Sequence, residues 1–240
     1  MKLDILAFGA HPDDVELSCS GTLLKHIAEG KKVGIVDMTR GELGTRGTSE
    51  TRDTEAAVAA GIMKLEVREN LQLEDGFFQR DKSSLLKIVR AIRKYQPEIV
   101  LANAVKDRHP DHGRAAALVA EACFFSGLVK IETEEKGRLQ QAWKPGNVYH
   151  YIQDRLIHPD FVIDITPFME RKMEAVMAFK TQFYNPDASS EEPETAISSK
   201  DFLDFLRARA SDMGRLIHVK YAEGFTVERA PGVRSLFDLY

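Results

Sequence analysis

The sequence predicts an α/β fold, a mostly parallel sheet with helices on both faces. Three observations carry this. Short apolar runs alternate with amphipathic stretches through the first half of the chain. Breakers such as Gly30, Gly61 and Pro97 fall between them, where an alternating chain must turn. No repeat and no long linker interrupts the pattern, so one domain over residues 1–240 is expected.

The elements follow in order. Leu3, Ile5, Leu6, Ala7 and Phe8 form a buried-strand run. Val15, Leu23, Leu24 and Ile27 have roughly helical spacing over 15–28, and Gly30 closes that helix. Residues 33–38 are a second strand, and 49–63 an Ala-rich helix with a stop at Gly61. Residues 66–71 read as a short strand. Leu85, Leu86, Val89 and Ile92 give 83–95 an apolar stripe, which Pro97 ends. Strand 99–102 and helix 114–125 complete the alternation. Later come strands at 148–152 and 161–165 and helices at 169–183 and 199–218. The Ser-, Glu- and Pro-rich stretch 185–200 is expected to be a mobile surface loop.

Composition excludes several classes. The net charge of −4 argues against a nucleic-acid partner. No apolar run approaches the roughly 18 residues of a membrane span. Asp4 follows the first residues too closely for a signal peptide. The two cysteines, Cys19 and Cys123, are too few for a disulfide framework, and read as buried free thiols of a cytoplasmic protein.

Two short boxes stand out. His11-Pro12-Asp13-Asp14 follows the first strand, and His109-Pro110-Asp111-His112 follows the strand at 99–102. In a parallel sheet, ligands bind at the carboxyl ends of the strands. Adjacent aspartates repel each other and call for a positive charge. Imidazole and carboxylate are good zinc ligands, and three protein ligands leave a place for water. His11 and Asp14 are three residues apart, so one turn brings them together, stiffened by Pro12. Either His109 or His112 completes the set. Taken singly, Asp13 and Asp14 could be ordinary helix caps. Two matching boxes at two strand ends are not explained that way.

Such a centre lowers the pKa of water to about 7. Asp13, beside the ligand Asp14, is placed to take the remaining proton as general base. His109, with Asp111 holding its ring as imidazolium, would bear oxyanion charge. The reaction class is hydrolysis of an amide or ester.

The pair AHPDD and HPDH resembles the PIG-L/LmbE-like zinc-dependent N-acetylglucosamine deacetylases. The stretches DMTRGELGTRGTSETRDTEA, DRHPDH, FVIDIT and YAEGF resemble the bacillithiol-biosynthesis branch, which acts on N-acetylglucosaminyl L-malate. The resemblance implies a Rossmann-like, three-layer α/β/α fold. It makes His11, Asp14 and His112 the ligands of Zn2+, with Fe2+ fitting the same set. It makes Asp13 the base and His109 the charge-stabilising partner backed by Asp111, and it puts Arg52 on the sugar. It aligns Lys144 with a substrate-binding arginine, and it implies a small-molecule glycoside substrate and a homo-oligomer, trimer or hexamer.

Gly41, Gly44 and Gly47 make a flexible loop after the second strand, at the edge that carries the boxes. It lacks the GK[ST] of a phosphate loop. Its Arg40 and Arg46, with Arg52 beyond, are suited to the two carboxylates of a malate aglycone. The alternatives are solvated loop charges for the first two, and for Arg52 an ion pair with Glu50 or Glu55. His150 could line the pocket, and Trp143 reads as loop packing. Rival functions are deacetylation of a mycothiol precursor, a chitobiose or a xenobiotic conjugate, or a non-catalytic metal- or sugar-binding module.

Overall fold

The computed structural model describes residues 1–184 and 193–239. Residues 185–192 of the expected surface loop lie outside them. The sheet holds β1 (Ile5–Gly9), β2 (Val33–Thr39), β3 (Val67–Leu73), β4 (Ile99–Ala102), β7 (Asn147–Tyr151), β8 (Phe161–Asp164) and β9 (Ala222–Val227). Its order is β3-β2-β1-β4-β7-β9-β8. The first five pair in parallel, and β9 runs antiparallel to both β7 and β8. A small hairpin, β5 (Glu134–Glu135) and β6 (Arg138–Leu139), stands apart. The helices are α1 (Asp14–Ala28), α2 (Ser49–Met63), α3 (Lys82–Tyr95), α4 (Pro110–Phe125), α5 (Met169–Val176) and α6 (Lys200–Arg215).

The period-2 geometry of β1 divides the core into layers. Leu6 and Phe8 pack with Ile88, Val89 and Ile92 of α3 and Leu118, Val119 and Ala122 of α4. Ile5 and Ala7 face the other way, toward Val15, Cys19 and Leu23 of α1 and Ala175 of α5. This is the Rossmann-like α/β/α arrangement, and it puts the loops after β1, β2, β3 and β4 on one edge.

Four details differ from the sequence reading. Gly61 does not stop α2, which runs to Met63 and ends where Lys64 turns left-handed at φ 60. The expected helix 169–183 ends at Val176, because Glu55 takes the N–H (2.7 Å) and hydroxyl (2.9 Å) of Thr181 and draws the chain out of the helix. Helix α4 begins at Pro110, so the second box forms its first turn, a natural place for proline. Strand β9 had no alternating signal clear enough to read.

Cys19 and Cys123 are free and buried, and burial raises both thiols above the usual range. A higher pKa means less thiolate at neutral pH, so the native protein is expected to resist a soluble disulfide reagent. Both thiols should titrate at once in denaturant; rapid labelling of the native chain would contradict their placement.

Candidate active site

Both boxes meet at the carboxyl edge of the sheet. The rings of His11 and His109 lie 4.6 Å apart between centroids, His109 and His112 5.2 Å, and His11 and His112 5.6 Å. They open onto a cavity of about 320 Å³ that Asp13, Asp14, Arg52 and Asp75 also line.

Asp14 sits at the first position of α1 with only 3% of its surface exposed. Its Oδ2 accepts from the His11 N–H (2.9 Å) and from Asn103 Nδ2 (2.9 Å), and its Oδ1 from Gln153 Nε2 (3.0 Å). His112 Nε2 lies 3.1 Å from Oδ1, and His11 Nδ1 lies 3.6 Å from Oδ2. The far nitrogen of each ring is also held. His112 Nδ1 meets Asp107 Oδ2 at 2.5 Å, while His11 Nε2 meets Asp75 at 3.0 Å and Asp111 at 3.4 Å.

One ring nitrogen toward a shared carboxylate, the other tied to a second carboxylate, is the arrangement of metal-ligating histidines. Of the five carboxylates Asp13, Asp14, Asp75, Asp107 and Asp111, Asp13 pairs with the guanidinium of Arg52 and Asp111 with that of Arg114 among the described residues. Burial opposes charge on the histidines, yet the carboxylates outweigh it, raising His11 well above the usual range and His112 to about 9. The same field favours a divalent cation in place of those protons. By mutual distance, His11 groups with His109 and His112, and with Asp75 and Asp111. Asp14, 3.1 Å from His112 Nε2 and 3.6 Å from His11 Nδ1, offers a carboxylate donor beside both rings. His109 Nδ1 accepts its own helix's N–H, and Asp75 and Asp111 meet the His11 nitrogen that faces away from Asp14. His11, Asp14 and His112 thus have the donor chemistry zinc or iron(II) takes.

Asp13 occupies the cap position of α1 without capping it. Its backbone is left-handed, at φ 118, a conformation unusual outside glycine. The carboxylate, 5% exposed, meets Arg52 Nη2 at 3.2 Å. Burial pushes its pKa up to about 7; Arg52 pulls against that rise and Asp14 adds to it. Arg52 is itself buried and also donates to the Pro12 carbonyl. Its alternative partners are engaged elsewhere, Glu55 with Thr181 and Glu50 with Arg40.

His109 is the cap residue of α4, and its Nδ1 accepts the Asp111 N–H at 3.2 Å. That bond leaves the ring proton on Nε2. Burial lowers the pKa, as do His11 and His112, which favours the neutral ring. The expected support of His109 by the Asp111 carboxylate is corrected here. That carboxylate accepts from Gly76 N–H (2.8 Å), pairs with Arg114 and faces His11.

Two substrate-binding expectations are displaced. Lys144 lies before β7, at the opposite edge of the sheet from the boxes, over the Phe124 ring in a second cavity. A residue entering a parallel strand cannot reach the edge where that strand exits. Arg46 is buried within its loop, and Gly41, Leu43, Gly44 and Thr45 line the cavity instead. Arg40 pairs with Asp53 on the surface. His150 bonds Asn103 O and Glu228 away from the cavity, and Trp143 donates to Pro97 O as loop packing. Sequence reasoning missed Asp75, Asn103, Asp107 and Gln153. Asn103 and Gln153 follow apolar strand runs directly, and Asp75 lies just beyond β3, a signal the strand-end rule could have used.

Fold and cluster together define an enzyme with a His/Asp centre. Residues 6–123 match the family model described as PIG-L, GlcNAc-PI de-N-acetylase. The fold is similar to that of the conserved protein TT1542 from Thermus thermophilus, with a TM-score of 0.85, 33% identity and 98% of each chain covered. The sequence is 27% identical to the diacetylchitobiose deacetylase of Thermococcus kodakarensis over 95% of this chain and 84% of that one. It is 26% identical to the 4-oxalmesaconate hydratase of Pseudomonas putida over 74% of this chain and 73% of that one. Residues 6–123, close to half of the chain, thus carry the likeness to the PIG-L family. No helix among the described residues is long and apolar enough to cross a membrane.

Proposed function

We propose that this enzyme removes the acetyl group from N-acetylglucosaminyl L-malate, giving glucosaminyl malate and acetate, the deacetylation step of bacillithiol biosynthesis. The observation that carries the reading is Asp13. A buried carboxylate on a strained backbone, beside a ligand set but outside it, is what a general base requires and what a binding module does not. The likeness of residues 6–123 to the PIG-L model supports N-deacetylation, and the likeness to a chitobiose deacetylase supports an N-acetylglucosamine-type sugar. Zinc is the proposed metal, with iron(II) fitting the same ligands, and the proposed setting is a cytoplasmic trimer or hexamer.

His11, Asp14 and His112 would hold the metal, which when bound supplies Lewis acidity at the cavity floor. Asp13 takes a proton from the attacking water as its oxygen bonds to the acetyl carbon. His109, through Nε2–H, donates to the charge developing on the acetyl oxygen. The C–N bond then breaks, and Asp13 passes its proton to the departing amine. Arg52 anchors Asp13 and keeps part of it ionised near neutral pH.

The test is acetate release from N-acetylglucosaminyl malate by the metal-loaded enzyme. A preparation that releases none from any N-acetylglucosaminide, or that instead hydrates an unsaturated dicarboxylate, would refute the reading.

Arg52→Leu gives a separate check. Arg52 depresses the Asp13 pKa, so its removal raises it further. A base works only when ionised, and its activity is lost as pH falls through its pKa. The acid limb of kcat/KM should therefore move to higher pH, by at least about one pH unit. An unmoved limb would mean that the limb reports another group.

A further inference from the structure

Arg209 lies on α6, which turns Phe202, Leu206 and Arg209, spaced i, i+4 and i+7, toward the cavity that holds the histidines. Its contacts are one long hydrogen bond to the Leu17 carbonyl (3.4 Å) and the Phe205 ring (5.5 Å). The carboxylates around it are committed elsewhere. Asp154 pairs with Arg108 at 3.1 Å, Asp107 with His112 at 2.5 Å and Glu223 with Lys172 at 2.6 Å. Arg209 forms no ion pair among the described residues. Burial works against its charge, which those three acids only partly offset from a distance.

A guanidinium partly withdrawn from water, beside apolar Ile197, Phe202 and Leu206, without a carboxylate of its own among the described residues, is suited to a bound anion. Arg108 lines the same cavity, so the group Arg108, Asp154 and Arg209 carries a net positive charge. We infer that Arg209 is a specificity-determining residue that binds a carboxylate on the group attached to the sugar. This deepens the function proposed above and rests on it. It moves the reading of the aglycone from the glycine-rich loop, where the sequence suggested it, to α6.

The experiment compares wild type, Arg209→Gln and Arg209→Lys, all metal-loaded. The substrates are N-acetylglucosaminyl L-malate and the neutral methyl N-acetylglucosaminide, and acetate release is measured for each. Arg209→Gln should lower kcat/KM on the malate conjugate about 10- to 100-fold, mainly through KM, and leave the methyl glycoside within about twofold. Arg209→Lys should fall between, keeping the charge but losing the two-pronged grip. Equal losses on both substrates would make Arg209 a brace for Leu17 and overturn the inference, as would an unchanged malate conjugate. A wild type inactive on both substrates would sink the function itself. A wild type active on the neutral glycoside alone would sink the malate reading and the inference with it.

Discussion

Asp13→Asn is expected to lower kcat by about 10²- to 10⁴-fold while leaving metal content unchanged. The substitution keeps the shape of the side chain and removes its capacity to accept a proton. Asparagine also tolerates the left-handed backbone that position 13 adopts at φ 118, better than alanine does. The fold should therefore survive, and the loss can be assigned to chemistry. KM should change little, because Asp13 acts on the water rather than on substrate affinity. Kinetics with parallel metal analysis check both halves. Retained activity would remove Asp13 from the mechanism, and lost metal would make it a ligand instead.

The second large effect concerns the ligands. Asp14→Ala and His112→Ala should each abolish stoichiometric zinc binding and bring activity to background. Asp14 also fastens the first box to Asn103 and Gln153, so its variant will be less stable for reasons unrelated to metal. The informative quantity is therefore the increment on adding metal to one and the same protein. A ligand present at a hundred times its Kd stabilises the folded state by about 2.7 kcal/mol. For a chain of this size that raises the Tm by about 5–10 °C. Wild type and Asp13→Asn should both show the increment, and the two ligand variants should not. An increment that persists in Asp14→Ala would point to the alternative grouping of His11, His109 and His112.

Much of this centre was legible in the chain because its parts are local. His11-Pro12-Asp13-Asp14 and His109-Pro110-Asp111-His112 each fit within one turn, and each follows an apolar strand run. The parallel order then brings the two turns to one edge, with Ala7 beside Leu101 in the register of β1 and β4. What supports the boxes was not legible, because it comes from distant parts of the chain. Gln153 reaches Asp14 across 139 positions and Asn103 across 89, and neither bond leaves a trace in local spacing. Asp111 shows the complementary limit. Its sequence neighbour suggested a partner in His109, but helix α4 turns the carboxylate toward His11. Lys144 failed for a topological reason, being close to β7 in sequence but at the wrong end of it.

Strand β9 holds a further implication. It follows the other strands in sequence, yet it lies inside the sheet, between β7 and β8. Its Glu223 accepts from the N–H groups of Gly21 (3.0 Å) and Thr22 (2.7 Å) within α1 and pairs with the buried Lys172. A nascent polypeptide emerging from the ribosome therefore displays both boxes long before the segment that clasps their helix exists. Until that segment is made, β8 has no neighbour to pair with. Maturation of the centre is thus tied to synthesis of this strand, and a product truncated before it would carry the reactive residues without the frame that aligns them.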